Sequence, residues 1–424
     1  MLVLENYAIE NANQILVNFS IIFVTGAIFA KLADYIKVPD VVLYLLAGIL
    51  LGPQVFNLIS IPANSTINQL VLTLGASVLL FHGGLGVSFS TLRKVWITLL
   101  LLSTVGVLVM VTIVGLTAHF VLGISLYYAF LLAAILAPTD PAALVPIFLS
   151  VKVRDRLAQT VLSESAFNDA TASIVTFAIL GVITSGELSL SSSLLKLIIM
   201  AGGGILIGSL YGLAAGYLIS DKTSDIFSVD AQVLMFPVII ASYMTAEHFG
   251  ASGFMAVFVA GLFFGNLDEI GWTVKENAQE EVQSFIHIAS LLLRITIFVL
   301  LGSNVDFSIL SQYFWQGLII IGVFMFIARP IIVLICTYPD KIAKWERKEI
   351  LFMFWTRETG VIPAALAGLL ITMKIENAEM ISSITFLAVF ATLSIQATTT
   401  RFVARRLNLL DTVSQNTLDE TLRR

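Results

Sequence analysis

The 424-residue chain has a single cysteine, Cys336, which excludes an intramolecular disulfide and a multi-thiolate metal site. Charged residues make up only 12% of it, against about 25% in a soluble domain. No polar stretch exceeds about 25 residues, so there is no room for a nucleotide-binding or catalytic domain. The net charge is −5 and no dense basic block is present, so nucleic acid is not an expected partner. The first ten residues carry Glu5 and Glu10 but no Lys or Arg, and a cleavable signal peptide is not expected. His82, His119, His248 and His287 form no i, i+3 or i, i+4 pair and suit no metal motif. Neither His-Glu-x-x-His nor Gly-x-Ser-x-Gly occurs, so an enzyme is not expected, and nothing points to a cofactor.

What is abundant is apolar: 58% of residues are hydrophobic and the mean hydropathy is +0.96. A membrane-spanning helix needs roughly 20 apolar residues, and such stretches fill nearly the whole chain. They are too long and too continuous for the alternating strands of a barrel. The expected fold is therefore an all-α polytopic membrane protein. Thirteen hydrophobic segments can be drawn, roughly at 12–34, 38–58, 69–88, 95–120, 126–149, 157–184, 193–219, 230–249, 252–266, 283–302, 313–336, 349–373 and 380–403. With that count, eighteen Lys and Arg fall on one side of the membrane and only Lys196 and Lys374 on the other. Positive residues favour the cytoplasm, which predicts the N-terminus outside and the C-terminus inside. One transmembrane domain is expected over 1–404, followed by a short cytoplasmic tail, 405–424, with basic anchors for the inner leaflet.

Two segments are interrupted. The fifth holds Pro138-Thr139-Asp140-Pro141, with Pro146 beyond, and the twelfth holds Arg357-Glu358-Thr359-Gly360 and then Pro363. Proline inside a helix removes a backbone donor and clashes with the preceding turn. Each interruption is followed by one further helix, and the two broken segments run in opposite directions. This is the pattern of an inverted repeat whose broken helices cross at a midplane binding site. The Gly202-Gly203-Gly204 and Gly208 run lies within the seventh segment with no Walker lysine, which predicts close helix packing.

Charges within spans are costly and mark functional positions. In the sixth segment Glu164 and Asn168 are four apart, as are Ser165 and Asp169, so all four share one sector of a helix. Asp169 lies about twelve residues, roughly 18 Å, into that segment, close to mid-membrane. Asp140 reaches a similar depth from the other side. A carboxylate at that depth favours its protonated form when alone and its ionised form beside a cation. It can hold a proton or a hard monovalent cation, and hardly both, which is the chemistry of exchange. Oxygen ligands for such a cation would come from Asp169, Ser165 and the Thr139 region. Arg294, Arg329 and Arg357 also fall within spans. A fixed pair of Glu164 with Arg357 or Arg294 would leave Asp169 to titrate, whereas Arg329 is placed to snorkel toward the cytoplasm. Glu358 could join the ion pair, face the cytoplasmic funnel, or be protonated.

These residues resemble the monovalent cation/proton antiporter family 1, and within it the prokaryotic sodium/proton exchangers. The resemblance rests on Pro138-Thr139-Asp140-Pro141-Ala142, on Glu164-Ser165-Ala166-Phe167-Asn168-Asp169 and on Arg294 before Phe298-Val299-Leu300-Leu301-Gly302. Ala328-Arg329-Pro330 and Gly360-Val361-Ile362-Pro363-Ala364-Ala365 complete it. The resemblance implies that Asp169 carries the ion and the proton, with Asn168, Ser165, Glu164 and Thr139 around it. It implies a homodimer in the cell membrane, with scaffold helices at roughly 12–88 and 230–302 and an elevator-like moving part at roughly 95–184 and 313–403. It also implies electroneutral one-for-one exchange of Na+, or Li+, for H+. Thr359 stands where family members usually carry an arginine, which leaves the partner of Glu164 open. The remaining readings are a K+/H+ antiporter of the same fold and a membrane ion, germinant or osmotic sensor built on a transporter-like bundle.

Overall fold

A computed structural model describes residues 2–36, 38–139, 148, 153–185, 190–220 and 231–410. These residues are helical almost throughout, and the one β feature among them is an isolated antiparallel bridge between Val153 and Leu410. Among the described residues eight helical runs are long and apolar enough to cross a membrane, and four shorter apolar helices accompany them. The chain is a multi-pass membrane protein.

The first three hydrophobic segments are α1 (Leu2–Ile36), α2 (Asp40–Leu51) and α3 (Thr66–Leu85). The fourth, expected as one helix, is two: α4 (Phe89–Ser103) and α5 (Val105–Leu122). At the junction the Thr104 hydroxyl donates to the Leu100 carbonyl at 2.6 Å, a back-bond that bends helices. Next come α6 (Leu126–Leu136), α7 (Asp155–Ser185), α8 (Leu190–Ile219), α9 (Ala231–His248), α10 (Gly253–Gly265) and α11 (Glu276–Ser303). The eleventh segment is α12 (Phe307–Val323) and α13 (Arg329–Thr337), joined by the π-helical turn Phe324–Ala328. The twelfth is α14 (Arg347–Trp355) and α15 (Val361–Thr372). The last is α16 (Ala378–Thr392) and α17 (Thr398–Arg406), with a second π-helical turn at Leu393–Ala397.

Both expected interruptions bear on the described chain. Helix α6 stops at Leu136, and Pro138 and Thr139 follow without helix; Asp140, Pro141 and Pro146 lie outside the described residues. The twelfth segment is unwound from Thr356 to Gly360. Pro363 is not what breaks it. It is the third residue of α15, where the backbone N–H has no intrahelical acceptor and proline costs little.

Glycine sets the tightest crossings. A Cβ on Gly48 of α2 would run into the Val299 carbonyl of α11, and one on Gly302 into the Leu45 carbonyl. Along α8, Gly208 and Gly212 face the Ala256 and Ala260 carbonyls of α10 in the same way. Backbone-to-backbone approach of this kind is how helices associate where water supplies no driving force. The outer side of α1 is apolar, with Leu16, Val17, Val24 and Ile28 all exposed.

Candidate functional site

Helix α7 carries Glu164, Ser165, Asn168 and Asp169 on one sector, and none is more than 2% exposed. That sector faces the two unwound stretches. Asn168 Oδ1 accepts from the Thr139 backbone N–H at 3.2 Å, and its amide nitrogen donates to Thr139 Oγ1 at 2.9 Å. Thr359 Oγ1 in turn donates to the Pro138 carbonyl at 3.1 Å, and the Arg357 guanidinium donates to the Ala137 carbonyl. The carbonyls freed where α6 ends are thus claimed by the unwound stretch of the twelfth segment. Unsatisfied backbone within a membrane is expensive, and here side chains of the twelfth segment's unwound stretch supply donors to the carbonyls at the end of α6.

Glu164 is paired, and its main partner is not either arginine expected. Arg329 grips it with both terminal nitrogens, Nη2 to Oε2 at 3.0 Å, and is itself fully buried. Two further N–H groups donate to the Met353 carbonyl at 2.8 Å and the Thr356 carbonyl at 3.1 Å. Arg329 therefore does not snorkel. It follows the π-helical turn, whose extra residue rotates the side chain inward, and π-bulges of this kind recur at functional sites. Arg357 comes second, with Nη1 at 3.5 Å from Glu164 Oε1 and its guanidinium 5.6 Å from the centre of the Phe324 ring. Extended backbone lets it reach this point although Thr359 occupies the position expected to be basic. Arg294 is elsewhere: it pairs with Asp40 at 2.7 Å, and Tyr44 donates to the same carboxylate oxygen at 3.2 Å.

The same α7 sector carries the Asp169 carboxylate, fully buried, and the Ser165 hydroxyl, which is fully buried with no hydrogen-bond partner among the described residues. A buried hydroxyl left unmatched costs free energy that a bound species can recover. A carboxylate and a hydroxyl one helical turn apart are oxygen donors of the kind that suit a hard cation. Glu358 lies on the far side of the unwound stretch, fully buried, with Oε1 at 3.3 Å from the Thr400 hydroxyl.

A family model described as "Sodium/hydrogen exchanger, transmembrane" matches residues 20–406. The chain belongs to that family. Na(+)/H(+) antiporter 1 of Methanocaldococcus jannaschii is 32% identical to this exchanger over 377 residues, 84% of this chain and 83% of the relative. The K(+)/H(+) antiporter NhaP of Alkalimonas amylolytica is 28% identical over 408 residues, 94% of this chain and 68% of that one. The solved structure of the sodium proton antiporter MjNhaP1 from Methanocaldococcus jannaschii at pH 8 superposes with a TM-score of 0.77. Sequence identity there is 28%, over 93% of this chain and 99% of that one.

Two cavities of this exchanger lie at opposite ends of the seam between α3 and α11 on one side and the later helices on the other. One, of about 740 Å³, is lined by His82, His287, Gln159, Asp155 and Leu162. The other, of about 210 Å³, is lined by Asn68, Asn304, Asp306, Ser382 and Glu379. His82 and His287 come from different helices with ring centres 5.8 Å apart, a proximity that no spacing in the sequence could reveal. Beside the α7 start, Arg156 binds the buried Glu349 and stacks on Trp345. Asp340 caps this corner. Burial opposes its ionisation, but hydrogen bonds from Thr98 Oγ1 and from the N–H groups of Ala343, Thr98 and Ile342 outweigh it and hold its carboxyl below the usual range.

Proposed function

We propose that this exchanger trades a monovalent cation, sodium first among those to test, for protons, one for one, through competition of the two for Asp169. The observation that carries the reading is the complete burial of Asp169 on the same helix sector as Ser165, whose hydroxyl has no hydrogen-bond partner among the described residues, while Glu164 is already claimed by Arg329. A desolvated carboxylate needs either a proton or a nearby cation. Asn168 is neutral and holds Thr139 in place. One titrating group per cycle therefore gives electroneutral exchange.

The charge asymmetry of the connections supports thirteen spans with the N-terminus outside and the C-terminus in the cytoplasm. The hydrogen bonds from Arg357 and Thr359 to the carbonyls at the end of α6 support an inverted repeat with crossing broken helices. The cavity of about 740 Å³ opens beside Asp155, on the basic side, and the smaller one lies at the other end of the seam. That inequality supports an inward-open state in which 95–184 and 313–403 move against a scaffold of 12–88 and 230–302, within a homodimer. Potassium is the second reading, favoured by similarity to the K(+)/H(+) antiporter of Alkalimonas amylolytica.

The test is exchange in proteoliposomes with an imposed pH gradient, adding Na+, Li+ or K+ in turn, for wild type and Asp169→Asn. Cation-driven collapse of the gradient that the substitution abolishes supports the reading, and the cation series settles selectivity. Folded wild-type protein that collapses no gradient with any cation between about pH 5 and 9 sinks it.

A further inference from the structure

The connection between α3 and α4 is only Gly86-Val87-Ser88, and it is where the scaffold proposed above passes into the part that moves. One residue of α10's end holds it. Asn266 caps the C-terminus of α10, is 5% exposed, and engages both the oxygen and the nitrogen of its amide. Oδ1 accepts from the Phe89 N–H at 2.9 Å, and Nδ2 donates to the Val87 carbonyl and to the Leu262 carbonyl of its own helix, each at 2.7 Å. The two peptide groups so held are those on either side of Ser88. Helix α10 is in turn tight against α3 up to the connection: a Cβ on Gly261 would meet the Phe81 carbonyl, and one on Gly265 the Leu85 carbonyl. The Phe89 ring lies edge-on to Phe263 of α10, with ring centres 5.2 Å apart.

Ser88 itself turns to the other side. Its side chain caps α4 by accepting from the Thr91 N–H at 3.2 Å, and its hydroxyl and N–H donate to Gln159 Oε1 at 3.1 and 3.4 Å. Gln159 is on α7, in the wall of the larger cavity. Over Val87, Ser88 and Phe89 the chain is thus bonded to the scaffold through Asn266 and to the helix of Asp169 through Gln159. Phe89 is the first residue of α4, and the first N–H groups of a helix have no acceptor within it. No bond inside α4 competes for the Phe89 N–H, so Asn266 can keep it while the axis of α4 changes direction. Hinges are a few element-terminal residues of this kind.

We propose that Asn266 is a positioning residue for transport, the pivot that pins the start of α4 to the scaffold while α4 and α7 reorient about it. The proposal rests on the antiporter reading with its moving part and deepens it by naming a point that stays still. The amide of Asn266 bonds to Phe89, Val87 and Leu262, so it acts on the exchanged ions only through the path that α4 and α7 follow.

Initial rates of exchange would be measured in proteoliposomes across a pH series, with each cation that wild type carries, for wild type and Asn266→Ala, per folded molecule recovered. Loss of the pivot is expected to lower turnover several-fold, by the same factor for every cation. The pH at which protons compete should stay where it is, because the surroundings of Asp169 are untouched. A merely structural role would lower the thermal midpoint and leave turnover per folded molecule alone. Turnover within about twofold of wild type, or faster than wild type as for a latch that must open, overturns the proposal.

Should Asn266→Ala yield too little folded protein, a measurement that keeps Asn266 decides. At the exposed start of α4 the Ser90 N–H donates to Glu269 Oε1 at 3.3 Å. Ser90→Cys/Glu269→Cys bridged by a short bis-maleimide should exchange as fast as the same protein treated with N-ethylmaleimide, because the two sides of a pivot do not separate. Exchange stopped by the bridge alone overturns the proposal. Absence of exchange in folded wild type would instead defeat the antiporter reading itself.

Discussion

Asn168 and Thr139 are joined by a reciprocal pair of hydrogen bonds, from the Thr139 N–H to Asn168 Oδ1 at 3.2 Å and from Asn168 Nδ2 to Thr139 Oγ1 at 2.9 Å. Both residues are buried, so the pair fixes the end of the broken α6 against the helix that carries Asp169.

Asn168→Ala removes both bonds and leaves a buried N–H and hydroxyl unmatched, at a cost of about 1–3 kcal/mol. The expected outcome is a weaker apparent cation affinity, by roughly 5- to 150-fold if that cost falls on the loaded state. The pH at which protons compete should move with it. Cation titrations of gradient collapse at several pH values check this; an affinity unchanged within about twofold would show that Thr139 is held without Asn168.

Arg329→Met leaves Glu164 buried beside a less closely placed Arg357. Removing one partner of a buried pair costs about 3–5 kcal/mol. A marked drop in the thermal midpoint in detergent is expected, partly restored by adding Glu164→Gln. If the double variant is no more stable than the single one, the pair is not the source of the loss.

Legibility in the sequence divides along physical lines. Helix positions and the end of α6 could be read because apolar length and proline act locally. The unwound stretch of the twelfth segment was placed without its proline being the cause. Glu164, Ser165, Asn168 and Asp169 could be placed on one sector because a helix fixes their spacing. The main partner of Glu164 could not, although Arg357, one of the two arginines expected, does lie 3.5 Å from it. Arg329 was placed by counting residues from the cytoplasmic end, and a π-helical turn immediately before it shifts the phase of everything that follows. Asp40 likewise sits at a helix start, where nothing marks it as the partner of Arg294 some 250 residues later. The gathering of His82 and His287 is of the same kind. The break at Thr104 escaped because it rests on a single hydroxyl back-bond amid an otherwise apolar run.

Asp340 lies outside the spans and its carboxyl is held below the usual range. Its contribution is therefore fully present above about pH 4, the ordinary carboxylate value, and fades as pH falls through the lowered folded value. Acid should loosen the corner where the connection after α13 meets α4 and the α7 start. Thermal midpoints of wild type and Asp340→Asn, compared from about pH 6 down to about pH 3, are expected to converge toward the acid end. A gap that stays constant would mean the ionised form is not what the four hydrogen bonds stabilise.

The glycine crossings predict a contrast within one residue type. At Gly302 a Cβ meets the Leu45 carbonyl and sits 3.0 Å from the Ile49 nitrogen, backbone atoms that no side-chain rotation can move aside. Gly302→Ala should force α2 and α11 apart, costing about 1–3 kcal/mol by overpacking and loosening the pairing of Asp40 with Arg294 that spans the same two helices. At Gly202 nothing lies within 4 Å of the added atom, so Gly202→Ala should be neutral, or stabilising by as much as about 1 kcal/mol from helix propensity. Thermal midpoints of the two variants in one detergent check the pair. Equal effects would mean that the α2–α11 contact does not limit stability, because only the local surroundings of the two glycines differ.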